Sequence, residues 1–417
     1  MDFAYSAKVE GLRTQVQAFM DAQIVPRIKA WQKEVEMGQF PVSFMEELKS
    51  LARQQGLWNL FLPALKTEEP GTPLTNLEYA PLAEIMGRVS WASEVFNCNA
   101  PDTGNMELLH MFSSPAQYDQ WLAPLLNGEI RSAFAMTEPK TASSDASNIQ
   151  TRITREGDHY IISGRKWWIT NAAHPDCRLL IVMGKTNPEA DTYHQQSMIL
   201  VPIESAGVTV IRNLTVMNHH HPEGHCEIDF DYVKVPVSNL LGEEGSGFAL
   251  AQARLGPGRI HHCMRSIGAA ELALELMTRR SQERETFGKH LHEHGTVAEW
   301  ISRSRIEIEQ ARLLVLKTAW LIDERGAKAA RKEISMIKAL IPVLHTTVLD
   351  RAIQAFGAMG VSPDTPLADH WTWGRALRFA DGPDEVHHRS VAKIEIKESE
   401  QYASVLDDYL TPHDRDQ

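Results

Sequence analysis

Cysteine is scarce and unpatterned in this chain. Cys98, Cys177, Cys226 and Cys263 are the only four in 417 residues, and none falls in a CxxC or other ligand spacing. That fits free thiols in a reducing compartment better than a disulfide framework. No run of ~18 apolar residues occurs, so no membrane span is expected. GxxxxGK[ST] is missing, which argues against a P-loop, and HExxH is missing too. Gly242 to Gly247 spells GxxGxG, the reverse of the dinucleotide fingerprint, and its surroundings are not βαβ units. Positive charge is also short, with 42 Lys and Arg against 54 Asp and Glu and a net charge of −12. The densest basic clusters, Arg279-Arg280 and residues 328–332, are broken by acids and alanines. An acidic surface repels phosphate backbones, so no nucleic-acid partner is expected. Met1 to Met20 lacks the apolar core of a signal peptide, and Pro412 to Gln417 is not a peroxisomal address. The cytoplasm is the expected compartment.

What the chain does contain is enough apolar material to fold. Hydrophobic residues make up 43% and charged residues 23%, the balance of a globular protein. Its length exceeds one ordinary core, so two or three domains are expected. Residues 1–130 read as helical, with 3.6-residue apolar spacing over 6–30 and 43–56 and a loop marked by Pro63, Pro70-Gly71 and Pro73. Over 131–240 the period shifts to two. Arg152-Ile153-Thr154, a Gly157-Asp158 turn and His159 to Gly164 read as a hairpin, and further short apolar runs follow. This predicts a small antiparallel barrel or sandwich. Over 241–417 helical stripes return: Met264, Ile267, Ala270, Leu274 and Met277, then Val297 to Leu321. Stripes this long are buried by helix bundles. Pro342 is expected to kink a helix or mark its start. No internal repeat or low-complexity tract is present.

Several segments carry chemically suggestive residues. Phe379-Ala380-Asp381-Gly382-Pro383-Asp384-Glu385-Val386-His387 sets a carboxylate before a glycine, which by itself reads as an Asp-Gly turn. Met136-Thr137-Glu138-Pro139 and Trp167-Trp168-Ile169-Thr170-Asn171 lie far upstream. Trp168 and Thr170, two apart on a strand, emerge on one face, although by themselves they read first as an ordinary buried strand tryptophan and its neighbour. His219-His220-His221 with Glu223 and His225 reads as an exposed polar loop, or as a metal or ligand-contacting loop. Adjacent histidines project in different directions, and no metal site is expected.

Together these segments resemble the acyl-CoA dehydrogenase family. AMTEPKTASSD, Ala135 to Asp145, resembles its flavin loop, and GRKWWITN, Gly164 to Asn171, its flavin-facing strand. Arg284-Glu285-Thr286-Phe287-Gly288 is similar to the family's RxxFG, and Gln354 to Gly360 to its QxFGxxG. The resemblance runs over roughly residues 5–400. It implies an α+β fold: an N-terminal α-helical domain, a middle antiparallel β-barrel and a C-terminal four-helix bundle. It also implies FAD as cofactor, an acyl-CoA substrate, electron-transfer flavoprotein as electron acceptor, and a homodimer or dimer of dimers. By this resemblance Phe134, Met136 and Thr137 line the flavin and acyl cleft, Ser144 meets the cofactor's phosphate, and Trp168 and Thr170 meet the ring near N5. Arg284, with Thr286 and Phe287 beside it, serves the FAD of a neighbouring subunit, and Gln354 and Gly357 close around its adenosine half. Arginine's fork suits a diphosphate, and glycines allow close backbone approach. Arg259 and Gly382 border the substrate.

The same resemblance makes Asp381 the base that takes the α-proton of the thioester while the β-hydride passes to flavin N5. Most members carry glutamate in a YEGT-like segment. This chain matches a branch with ADGPDEVH, and Arg254 to Cys263 is similar to that branch. Other members place the base just before the arginine equivalent to Arg259. Gly258 fills that slot here and cannot compete. Aspartate's ordinary pKa of about 3.9 is low for a base, and burial is expected to raise it. Asp384 and Glu385 read either as ligand contacts or as surface acids. Gly256, Gly258 and Gly268 favour a long, branched or substituted acyl chain, unless they only let helices pack closely. His261 and His262 are candidates to meet a polar group on that chain. An acyl-CoA oxidase, a nitroalkane-oxidase-like enzyme and a non-enzymatic helical assembly factor are the alternatives.

Overall fold

A computed structural model describes residues 4–406 and 409; the Pro412–Gln417 terminus lies outside the described residues. Helix α1 (Ala7–Phe19) starts where the Ser6 hydroxyl accepts from Val9 N–H. It runs through a π turn at Met20–Ile24 and a short 3-10 turn into α2 (Ile28–Glu36), beyond the expected end near residue 30. Next come α3 (Met45–Gln54), α4 (Asn76–Met86) and α5 (Asp102–Phe112). A capping box between Thr75 and Glu78 fixes the start of α4.

Eight strands follow: β1 (Arg131–Ala135), β2 (Arg152–Glu156), β3 (His159–Thr170), β4 (Cys177–Lys185), β5 (Gln196–Pro202), β6 (Val208–Asn213), β7 (His225–Pro236) and β8 (Leu240–Leu241). Their order is β6-β7-β3-β2-β4-β5-β8, with β1 beside β4. Hairpin β2–β3 pairs Glu156 with His159 across the two-residue Gly157-Asp158 turn, with Gly157 at φ 59° as such turns require. The sheet is not wholly antiparallel, because β1 runs parallel to β4. One face closes over Ile153, Ile162, Leu180, Val182, Ile228 and Phe230. The other face of β4 and β5 sends Leu179, Ile181, Met183, Met198 and Leu200 into the helical core. Burial on both faces explains why β4 and β5 read as unbroken apolar runs.

The chain then forms α6 (Gly247–Glu283), the small hairpin β9 (Glu285–Thr286) and β10 (Lys289–His290), and α7 (Gly295–Ala329), which breaks at Gly326 (φ 78°). Helices α8 (Arg331–Phe356), α9 (Leu367–Ala376) and α10 (Asp384–Ser399) complete it. Helix α8 packs against α6, α7 and α10. Pro342 sits buried well inside α8 and does not mark its start. No helix among the described residues is long and apolar enough to cross a membrane.

Candidate active site

The turn after β1 is held by a buried ion pair that sequence reasoning did not assign. Lys166, fully buried on β3, donates to Met136 O (2.8 Å) and to Glu138 Oε1 (2.9 Å). Glu138 also accepts from Thr151 N, Thr151 Oγ1 and Gln150 N. Burial pushes the Glu138 carboxyl up, but Lys166 and these donors outweigh it and hold it below its ordinary value. Burial in turn lowers the Lys166 ammonium to about 8. A signal for the pair existed: Lys166 shares the inward parity of Tyr160 and Ile162, and a core lysine requires a carboxylate. Thr137 binds the same strand, donating from Oγ1 to Trp167 O (2.5 Å) and accepting from Trp167 N–H (3.0 Å). Ser143 Oγ accepts from Glu138 N–H within this loop, whereas Ser144 faces solvent.

Plain strand alternation does not deliver Trp168. The β3–β7 register slips between Lys166 and Ile169, and Trp168 adopts φ 55°, a left-handed conformation uncommon for a bulky residue. The residue is left 42% exposed, with the half-buried Thr170 two residues on. Asn171 (φ 75°) anchors the strand's end, donating from Nδ2 to Ser132 O (2.9 Å) and Asp102 Oδ2 (3.2 Å). Beside this strand the Arg254 guanidinium lies 4.1 Å from the Phe134 ring centroid. Phe134 and Met136 are half-buried against the helical core. An exposed aromatic face, a neighbouring hydroxyl and an apolar margin together fit a flat heteroaromatic cofactor ring.

Asp381 sits in a turn after α9, at φ 56°, with Gly382 at φ 107°. Three contacts pin that turn. Arg259 Nε donates to Asp381 O (2.9 Å), and the fully buried Lys338 donates to Leu377 O (2.6 Å) and Gly382 O (3.3 Å). Arg259 therefore supports the backbone of the turn. Asp384, buried, is tied to Arg378 Nε (2.6 Å), while Glu385 is exposed. The Asp381 side chain is 17% exposed, with Oδ2 at 3.5 Å from His262 Nε2. A Cβ on Gly258 would lie 3.5 Å from the same oxygen. Burial pushes the Asp381 carboxyl up, as expected, but His262, Arg254, Arg259 and Lys338 draw it down, and the net shift is below the ordinary value. This corrects the expectation of a raised pKa. Burial and Arg265 hold His262 itself neutral down to about pH 3, so at neutral pH the three cations do this work.

Of the three glycines, only Gly258 faces the carboxylate. A Cβ on Gly268 would meet Glu84 O at 1.8 Å and one on Gly256 would meet Ala327 Cβ at 3.3 Å. Both are helix-packing positions and do not widen an acyl channel. His261 is fully buried between Phe61 and Tyr79, so it too leaves the cleft to His262.

From His262 a cleft of about 80 Å³ opens between the helical parts and the sheet, lined by Trp91, His221, Glu223, Arg265 and Trp373 among others. Arg265 Nη2 lies 3.2 Å from His262 Nδ1. The histidine loop divides: His219 and His220 are exposed, while His221 pairs with Glu223 (3.2 Å) inside the cleft. Burial raises Glu223, but His221 dominates and brings its carboxyl to about 2. His221 is raised in spite of burial because Glu223 faces it. His225 closes the arrangement, with Nδ1 at 3.0 Å from Thr170 Oγ1 and its ring stacked on Trp373. Trp373 belongs to α9, which leads into Asp381, so strand and turn meet here.

The remaining expected residues lie elsewhere. Arg284 and Phe287 are exposed on the β9–β10 hairpin, Phe287 at 96%, and Thr286 is half-buried. Gln354 and Gly357 are exposed at the end of α8, near the hairpin through Arg280, whose guanidinium is 5.3 Å from the Phe356 ring. Arg259 and Glu283 are separated along α6 by roughly 36 Å, at about 1.5 Å per residue. Within one chain these residues cannot share a contact with Asp381.

Residues 6–129, 133–233 and 245–395 match, in order, the profiles of the acyl-CoA dehydrogenase N-terminal, middle and C-terminal domains. A Mycobacterium tuberculosis protein named probable acyl-CoA dehydrogenase FadE2 is 54% identical over 413 residues, covering 97% of this chain and 100% of that one. Acyl-CoA dehydrogenase family member 10 of Mus musculus is 52% identical over 397 residues, covering 94% of this chain; that match spans 37% of the mouse protein. A solved structure from Mycobacterium abscessus, provisionally assigned as an acyl-CoA dehydrogenase, is 47% identical with a TM-score of 0.91 and covers 95% of this chain and 100% of that one.

Proposed function

This chain belongs to the acyl-CoA dehydrogenase family, and on that premise we propose that it is an FAD-dependent enzyme that converts an acyl-CoA thioester to the 2-enoyl-CoA with Asp381 as base. The observation that carries this reading is the Asp381 carboxylate, largely buried on a turn whose backbone Arg259 and Lys338 pin, and facing Gly258 of α6, which leaves space beside it. Depressed below its ordinary value, the carboxylate is ionised at neutral pH and ready to accept a proton. The α-C–H bond breaks toward Asp381, its electron pair forms the Cα=Cβ bond, and the β-hydrogen leaves as hydride. When bound, FAD supplies the acceptor for that hydride. Trp168, Thr170, Phe134, Met136 and Thr137 hold its ring and Ser144 its phosphate. Gly382 and Arg259 border the thioester. The division at 1–130, 131–240 and 241–417 assigns the ring to the middle domain and the base to the bundle.

The cleft beyond His262 supports a substituted acyl chain. Its Arg265, His221 and Glu223 would be poor company for a plain hydrocarbon, so a polar substituent on a medium-to-long chain is the reading favoured. The chain works as a homodimer or dimer of dimers, in which Arg284, Thr286, Phe287, Gln354 and Gly357 serve a neighbour's FAD. Their distance from Asp381 supports this. Electrons leave to an electron-transfer flavoprotein.

The test is Asp381→Asn, mixed anaerobically with a panel of plain, branched and hydroxylated acyl-CoA substrates while flavin absorbance is followed. FAD content is expected to persist, and the reduction rate to fall by about 10²–10⁴-fold. An undiminished rate would remove Asp381 from the mechanism. Rapid reoxidation by air with peroxide release would instead identify an oxidase.

A further inference from the structure

His225 is absent from the catalytic scheme above, yet its side chain meets both Thr170 of β3 and Trp373 of α9. Thr170 and His225 are direct partners in the β3–β7 register, so their side chains leave the sheet on the same face. His225 is 3% exposed. Its backbone N–H is fixed on Asn213 Oδ1 (2.7 Å). Its ring is flanked by Trp168 at 5.9 Å, His221 at 5.4 Å and Trp373 at 6.0 Å, the last nearly parallel at 17°. An imidazole held this way cannot turn to find another partner.

The two ring nitrogens differ. Nδ1 faces Thr170 Oγ1 at 3.0 Å, whereas Nε2 is buried with no hydrogen-bond partner. A neutral imidazole carries one N–H and one bare nitrogen. Placing the proton on Nε2 would bury a donor without an acceptor. Placing it on Nδ1 buries only a lone pair, which is the lesser penalty. Burial keeps the ring neutral down to about pH 4, so a single proton has to be allotted.

We infer that His225 is a positioning residue: its Nδ1–H donates to Thr170 Oγ1, which occupies the oxygen and leaves the hydroxyl hydrogen to be given to an acceptor on the cofactor ring. This rests on the reading that Thr170 meets that ring. Without His225 the hydroxyl is free to rotate and to present either its hydrogen or a lone pair. With His225 it is a donor of fixed direction. A donor aimed at the ring nitrogen that receives the hydride makes that nitrogen more electron-poor, which favours the transfer.

The experiment compares His225→Phe, Thr170→Val, the double variant and His225→Asn, whose amide nitrogen can stand where Nδ1 does. Three readouts apply: the tautomer of His225 in 15N-histidine-labelled apoprotein, the FAD affinity and visible band shape, and the anaerobic reduction rate. The Nδ1–H tautomer is expected in the apoprotein. His225→Phe and Thr170→Val should alter the flavin band alike and slow reduction roughly 10-fold with KM unchanged, as loss of an orienting partner does. The double variant should be no worse than Thr170→Val, and His225→Asn should recover most of the loss. An Nε2–H tautomer, additive losses in the double variant, or no recovery with asparagine would overturn the inference while leaving the proposed function standing. If Thr170→Val leaves FAD affinity and band shape untouched, Thr170 does not meet the ring, and both readings fall together.

Discussion

Glu223 and His221 shift each other's titration in opposite directions, and the shifts define a pH window. The Glu223 carboxyl, at about 2 instead of its ordinary 4.5, stabilises the fold fully above pH 4.5 and loses that contribution as pH falls toward 2. His221, raised above its ordinary 6.5, contributes fully below pH 6.5 and loses its share as pH rises through the raised value. The pair is therefore worth most between pH 4.5 and 6.5. Glu223→Gln should lower the thermal midpoint there, by the equivalent of about 1–3 kcal/mol for a charged hydrogen bond, with the gap to the parent chain closing on both sides. A midpoint difference that is flat from pH 3 to 8 would contradict the pairing. Sequence pattern alone left these two residues in a loop of undecided purpose. The reason is physical: what buries His221 is Trp373, a contact between residues far apart in the chain. Asp381 is a similar case. Its position before Gly382 was legible, but the direction of its pKa was not, because Arg254, Arg259 and Lys338 reach it from α6 and α8.

At the scale of elements, helical period and turn chemistry were readable, and irregularities were not. The β2–β3 hairpin followed from Gly157-Asp158 because a two-residue turn admits few conformations. The bulge that turns Trp168 outward leaves no mark in the alternation of residues around it. Glycines show the same limit. Gly258 and Gly268 look alike in sequence, yet one faces a carboxylate and the other the backbone of α4. Gly268→Ala should drive its methyl into Glu84 O and destabilise the fold by about 3 kcal/mol or more, read as a lowered denaturant midpoint or insoluble protein. Gly258→Ala meets only ordinary contact at 3.5 Å from Asp381 Oδ2. It should leave the midpoint level or raise it by up to about 1 kcal/mol, while slowing flavin reduction about 10-fold or more by crowding the base. Equal stability losses in the two variants would refute the assignment of Gly268 to packing.

The whole molecule presents two features that a second copy would cover. Phe287 stands almost fully exposed on the β9–β10 hairpin, and Ile306, Leu313 and Trp320 emerge from α7 at every seventh position. Sedimentation of the holoenzyme should show a dimer or tetramer. Trp320→Asp should shift it toward smaller species, whereas Arg284→Gln should keep the assembly and weaken FAD binding at least about 10-fold, as loss of a paired phosphate donor does. A monomer with undiminished FAD affinity would refute the shared site.

Helix α8 joins the two ends of this arrangement. Lys338 grips the carbonyls of Leu377 and Gly382 in the Asp381 turn, and Gln354 stands on the same helix roughly 24 Å further on, at about 1.5 Å per residue. On the proposed assignment, the spacing between the Asp381 carboxylate and the rim that would receive an adjoining subunit's nucleotide is set by one length of rod, so a residue inserted or deleted between them would rotate one end by about 100° relative to the other.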